Sequence, residues 1–208
     1  MPSLADARRA FVETCVPQKF DGGIHAVTFQ PKPTRKNQDR YVVQYWDDID
    51  GGPPWLFLAV LDGEFYNFLQ PNSYHHTLFL GHSGDYVSEY TAIHLPDLIH
   101  AALRSKVGQY ESRRLKPESI SKLLNSQIKK FDKDIGKAII KLCPKPEDID
   151  DEVAQALFKG PDVPILRRAM AGTTFTGALI DGEKKSMWVV GLGDSSAGRQ
   201  STTSTILR

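Results

Sequence analysis

Three short stretches of this chain could do chemistry together: Asn37-Gln-Asp-Arg40, Leu61-Asp-Gly63 and Gly172-Thr-Thr-Phe-Thr-Gly177. A carboxylate at a strand end, followed by a glycine whose bare backbone can approach a ligand, suits a hard divalent cation, because Asp oxygens and a nearby carbonyl are oxygen donors. On spacing alone, an ordinary turn accounts for Asp62-Gly63 better than a metal site does. Other motifs fail on inspection. Gly191-Leu-Gly193-Asp-Ser-Ser196 starts like a dinucleotide-binding loop, but Ser stands where the third Gly belongs and no recognisable helix follows. Gly81-His-Ser-Gly84 lacks the spacing of a nucleophile elbow. His75 and His76 are adjacent, so they cannot share a helical face as metal ligands four residues apart do. The acidic run from Glu147 to Glu152 lacks the central glycine of a calcium loop.

The elements that must position these residues are short strands and longer helices. His25–Gln30 and Arg40–Trp46 are rich in Val, Tyr, Phe and Thr and are bounded by turn-forming clusters, which predicts two strands. Gly51-Gly-Pro-Pro54 forces a turn before Trp55-Leu-Phe-Leu-Ala-Val-Leu61, whose unbroken apolarity predicts a central strand buried on both faces. Residues 84–104 carry apolar side chains at helical spacing, with Pro96 expected to kink or divide the helix. In Pro117–Leu142, Ile120, Leu124, Ile128, Phe131, Ile135, Ile139 and Leu142 fall within an arc of about 100°, opposite a stripe of lysines. That predicts a long amphipathic helix whose lysines form a solvated face. The acidic run reads as a surface loop leading to a short helix. Thr173–Ile180 and Ser186–Leu192 flank Asp181-Gly182 and read as a hairpin. Strands, then helices, then strands predict an α+β fold.

Composition narrows the partners without naming one. The chain has 208 residues, 40% hydrophobic and 25% charged, which is enough for one sizeable core. With 26 Lys+Arg against 25 Asp+Glu, no net field selects nucleic acid or an anionic membrane. The seven apolar residues of Trp55–Leu61 fall far short of the roughly 20 that a membrane-spanning helix needs. The two cysteines, Cys15 and Cys143, build no disulfide framework, and the N-terminus lacks a signal-peptide core. A cytoplasmic protein is expected, with a mitochondrial one as the weaker alternative.

Taken in order, four stretches resemble the N-terminal part of PPM-type (type 2C) metal-dependent protein Ser/Thr phosphatases, with a flavour of the fungal and pyruvate-dehydrogenase-phosphatase-like branches. Asn37-Gln-Asp-Arg40 is similar to the first acidic motif, and Phe57–Gly63 to the metal-binding strand. His82-Ser-Gly84 with the helix to Pro96 resembles the continuation of that motif. Gly172–Ile180 with Val189–Ser195 resembles the paired central strands. The resemblance implies a PPM phosphatase-like β-sandwich flanked by helices, spanning residues 20–197, while the Ser/Thr-rich composition of 198–208, with little to bury, predicts a disordered tail. It implies two Mn2+ or Mg2+ ions that activate a water against the phosphorus of phosphoserine or phosphothreonine in a phosphoprotein substrate. Asp62 would bridge both ions, Gly63 would offer its carbonyl to one, Asp39 would support the first, and His82 would act as general acid. Arg35 is the nearest counterpart of the family's phosphate-holding Arg.

Departures from the family bear on activity. Gln38 stands where the family has Glu, which removes one negative charge beside the metals. The chain stops soon after Asp194-Ser195, before the stretches in which the family supplies two further metal-binding aspartates, so the second metal site is expected to be incomplete. An uncovered apolar sheet face is expected to follow, and a non-catalytic phosphatase-like binding module is the alternative function. In addition, residues 64–81 separate Gly63 from His82, and removing these eighteen residues restores the junction Leu-Asp-Gly-His-Ser-Gly. The hypothesis is an in-frame retained intron or gene-model error. Sequencing the mature transcript across this junction is expected to show codons 64–81 missing from most copies; their presence in most copies overturns the hypothesis.

Overall fold

In the computed structural model, residues 3–29, 37–49, 51–64, 85–108, 116–183 and 185–198 are described. The elements run α1 (Leu4–Thr14), β1 (Cys15–Phe20), β2 (Ile24–Phe29), β3 (Arg40–Trp46), β4 (Trp55–Leu61), β5 (Gly63–Glu64), α2 (Asp85–Gly108) and α3 (Pro117–Leu142). They continue through α4 (Asp151–Lys159), α5 (Val163–Ala169), β6 (Gly172–Thr173), β7 (Phe175–Ile180) and β8 (Met187–Leu192). The fold is α+β. One open antiparallel sheet has the order β3-β4-β7-β8, and two smaller antiparallel pairs are β1-β2 and β5-β6. Residue 20, where the domain is expected to start, is the last residue of β1 and lies inside the first hairpin.

The core lies between one face of the large sheet and the helices. Because side chains alternate along a strand, Trp55, Phe57, Ala59 and Leu61 of β4 share a face and are all buried. They meet Val42 and Trp46 of β3 and Phe175 and Leu179 of β7, with Leu95, Ile99 and Leu103 of α2 and Ile120, Leu124 and Phe131 of α3 closing the core from above. Trp46 stacks on Phe57 with ring centroids 5.2 Å apart, and Trp55 stacks on Trp188 at 5.9 Å. The indole of Trp188 donates to the Pro117 carbonyl at 3.1 Å, tying β8 to the start of α3.

Two expectations need correction. β4 is central but is not buried on both faces: Leu56 and Leu58 are only partly covered and Val60 is 55% exposed. Helices pack on the other side only, so its unbroken apolarity reports a central strand and an apolar second face, not two covered ones. Of the two outcomes expected at Pro96, a kink or a division, division does not occur, since α2 runs through it from Asp85 to Gly108. Pro96 and its neighbours Leu95 and Ile99 are buried in the core, and that packing outweighs one lost helical hydrogen bond.

The remaining elements follow local chemistry. The lysines of α3 are exposed, as the amphipathic spacing requires. The acidic run serves α4, where the Asp150 carboxylate caps the helix by accepting from the Val153 amide at 2.8 Å. α1, β1 and α5 have no counterpart among the expected elements. β1 and β2 form a hairpin about Gly22 and Gly23, both at positive φ, and this hairpin lies against the second face of the large sheet. Phe20 meets Tyr41 edge-on at 6.0 Å, and the Tyr45 hydroxyl donates to the Asp21 carbonyl at 2.6 Å. Residues 65–81 of the expected insertion lie outside the described residues, as do 199–208 of the expected tail.

The two faces of β4 should respond differently to substitution. Phe57→Ala, at a side chain 1% exposed, is expected to destabilise the protein by about 3–5 kcal/mol. Val60→Thr on the opposite face is expected to stay within about 0.5 kcal/mol of the parent, both read from urea denaturation.

Candidate functional site

The antiparallel register brings together what the sequence separates. Arg40 opens β3 opposite Leu61, which closes β4, and Phe175 opens β7 opposite Leu192, which closes β8. The ends of four strands therefore meet at one end of the sheet, with Asp39, Asp62-Gly63, Thr173-Thr174 and Asp194-Ser195 as their flanking residues.

Asp62 is held through its backbone. The Asp62 carbonyl accepts from the Thr174 amide at 2.9 Å and from the Thr173 hydroxyl at 2.9 Å. Its own amide donates to Thr174 Oγ1 at 3.3 Å, and that hydroxyl lies 2.5 Å from Ser195 Oγ. Gly63 pairs with Thr173 in the β5-β6 ladder and is buried. Gly193, at φ 94°, brings the chain after β8 so near that a Cβ there would meet the Thr174 side chain at 2.8 Å. Glycine is needed at that position for both conformation and space.

Asp39 comes from the other side, in a loop without helix or strand structure. The Asn37 side-chain oxygen accepts from the Asp39 amide at 2.9 Å, forming an Asx turn. The Ser88 hydroxyl of α2 donates to the Gln38 carbonyl at 2.7 Å. Arg40 pairs with Asp85 at 3.1 Å and Glu89 at 3.3 Å, joining the base of the loop to the start of α2.

The outcome is two carboxyls within hydrogen-bonding reach of each other. Burial raises the Asp39 pKa above the ordinary carboxylate value, the negative charge of Asp62 and a hydrogen bond with it raise it further, and Arg40 opposes them. Two mutually repelling carboxylates, one partly desolvated, form a donor set that a divalent cation relieves, so the pair fits part of a hard-cation site. Among the described residues, no group of three or more His, Cys, Asp or Glu is placed to hold a metal ion. His82 and Arg35 lie outside the described residues.

Asp39, Asp62 and Gly63 were legible as candidates, whereas the Thr173-Thr174-Ser195 clamp and the α2 contacts of Asp85 and Ser88 were not. The repeated Thr in Gly172-Thr-Thr-Phe-Thr-Gly177 is the one local signal for the clamp. No protein-family model matches the chain, and no curated protein matches its sequence.

The carboxyl pair sets a pH dependence with a definite sign. Because the folded-state pKa of Asp39 is raised, the folded state holds a proton that the unfolded chain has released, so stability falls as pH rises above the ordinary Asp value towards neutrality. In protein stripped of divalent cations, Asp62→Asn is expected to unfold at a higher temperature than the parent near pH 7. The gap should close as pH falls through the carboxylate range, as measured by circular dichroism melts across that range.

Proposed function

We propose that this sheet end is the cation-binding part of a PPM-type protein phosphatase site, acting on phosphoserine or phosphothreonine in proteins. The reading is carried by the approach of Asp39 to Asp62, two carboxyls from separate motifs brought within hydrogen-bonding reach. Asp39 and Asp62, with the Gly63 carbonyl, would hold Mn2+ or Mg2+. Bound there, the cation would supply a water activated near neutral pH and would offset the charge of the phosphoryl oxygens. The chain's own contribution is positioning. The threonine clamp sets Asp62, the Asx turn and α2 set Asp39, and the close approach of Gly193 to Thr174 packs the strand ends behind them.

The architecture we propose is a PPM-like β-sandwich. Its support is the β1-β2 hairpin against Tyr41 and Tyr45, on the sheet face that the helices leave open. A second sheet on that face is what a sandwich requires. No helix among the described residues is long and apolar enough to cross a membrane.

A second reading, a non-catalytic phosphatase-like module that binds a phosphoprotein, draws on the limited donor set. Only two carboxyls converge among the described residues, and a two-cation site needs more ligands than that.

One experiment separates the two. Manganese-dependent hydrolysis of a phosphoserine peptide is expected, with Asp62→Asn lowering the rate by at least about a hundredfold. A folded protein that shows no turnover at any manganese or magnesium concentration would exclude the phosphatase and leave the binding module.

A further inference from the structure

The cation site described above needs Asp39 to stay aimed at Asp62, although the two repel and Asp39 belongs to neither strand nor helix. We infer that Arg40 is the positioning residue that holds Asp39 there, by locking the Asn37–Asp39 backbone to the first turns of α2. The inference rests on the proposed cation site, which it extends with a residue outside the donor set.

The contacts are specific. Arg40 Nη1 donates to two main-chain carbonyls of the loop, Asn37 at 2.8 Å and Asp39 at 2.9 Å. Arg40 Nη2 donates to Asp85 Oδ2 at 3.1 Å and Glu89 Oε2 at 3.3 Å, which lie one turn apart on α2. The third carbonyl of the loop, that of Gln38, accepts from Ser88 on the same helix. Each carbonyl from Asn37 to Asp39 is thus tied to Arg40 or to α2, and the Asp39 amide is tied to Asn37. The peptide planes flanking Asp39 are set before any ligand arrives.

This arrangement requires a guanidinium. Its planar fork reaches two carbonyls with one nitrogen and two carboxylates with the other, whereas a lysine ammonium is a compact point charge on a flexible stem. The geometry is also partly shielded from water, since the Arg40 side chain is 23% exposed and that of Asp85 9%. A surface ion pair alone would be worth little, but bonds to backbone carbonyls at the root of a ligand residue act on its direction. β3 transmits the same restraint to the partner strand, because Arg40 faces Leu61, the residue before Asp62.

The test is Arg40→Lys in the full chain, with two readouts besides activity. In protein free of divalent cations, amide hydrogen exchange at Asp39 is expected to rise by about tenfold or more, while exchange at Thr174, which is bonded to Asp62, stays unchanged. Manganese affinity, read from water-proton relaxation, is expected to fall roughly ten- to a hundredfold without a matching loss of thermal stability. A folded Arg40→Lys protein in which Asp39 exchange and manganese affinity both equal the parent's overturns the inference. If Arg40→Lys does not fold, Glu89→Ala carries the test, since it removes one exposed acceptor of Arg40; faster Asp39 exchange supports the lock and unchanged exchange overturns it. Faster exchange in a protein whose parent binds no manganese would uphold the lock and remove the cation reading instead.

Discussion

The double pairing of β4 is the constraint on which both core and site depend. Its register with β3 on one side and β7 on the other sends Trp55, Phe57, Ala59 and Leu61 towards the helices and delivers Asp62 to the sheet end where β3 and β7 begin. A slip of one residue would exchange the faces, putting Leu56, Leu58 and Val60 where the core is and moving Asp62 away from both Asp39 and Thr174. Stacking of Trp46 on Phe57 and the Thr174-to-Asp62 hydrogen bond act at different points along the strand. Both resist the same slip.

Once the register is set, the sheet end carries an electrostatic load. A partly buried carboxyl, Asp39, faces the exposed carboxyl of Asp62, and the repulsion between them raises the Asp39 pKa. The surrounding contacts restrain the backbone on both sides: Thr173 and Thr174 bond to the main chain of Asp62, and Asn37, Ser88 and Arg40 bond to the main chain around Asp39, where the Arg40 charge also opposes the repulsion.

The sheet's second face has a different character. Tyr41, Val43, Leu56, Leu58, Val60, Met187 and Val189 alternate with the core residues, and the Val60, Met187 and Val189 side chains are about half exposed or more. The β1-β2 hairpin touches this face at Tyr41 and Tyr45. The helical layer covers the opposite side.

Much of this was legible from local chemistry. Periodicity marked α3 to its ends, because Pro117 and Pro144 bound a run whose apolar stripe has only one helical solution. β-rich composition and turn residues marked β3, β7 and β8, unbroken apolarity marked β4, and Asp62-Gly63 stood out as a carboxylate at a strand end. α1, β1 and α5 were not legible, being short or polar enough that their placement depends on neighbours. The exposure of Val60 and the continuity of α2 through Pro96 were likewise beyond reach, since burial and helix breaking are decided by what packs alongside. Above all, residue types and spacing could nominate Asp39 and Asp62 separately, but 22 positions divide them in the chain (62 minus 39, less one). Their meeting, and the Thr174 and Arg40 contacts that hold it, arise from strand register and from α2 packing beside the sheet, which are long-range interactions that no local pattern encodes.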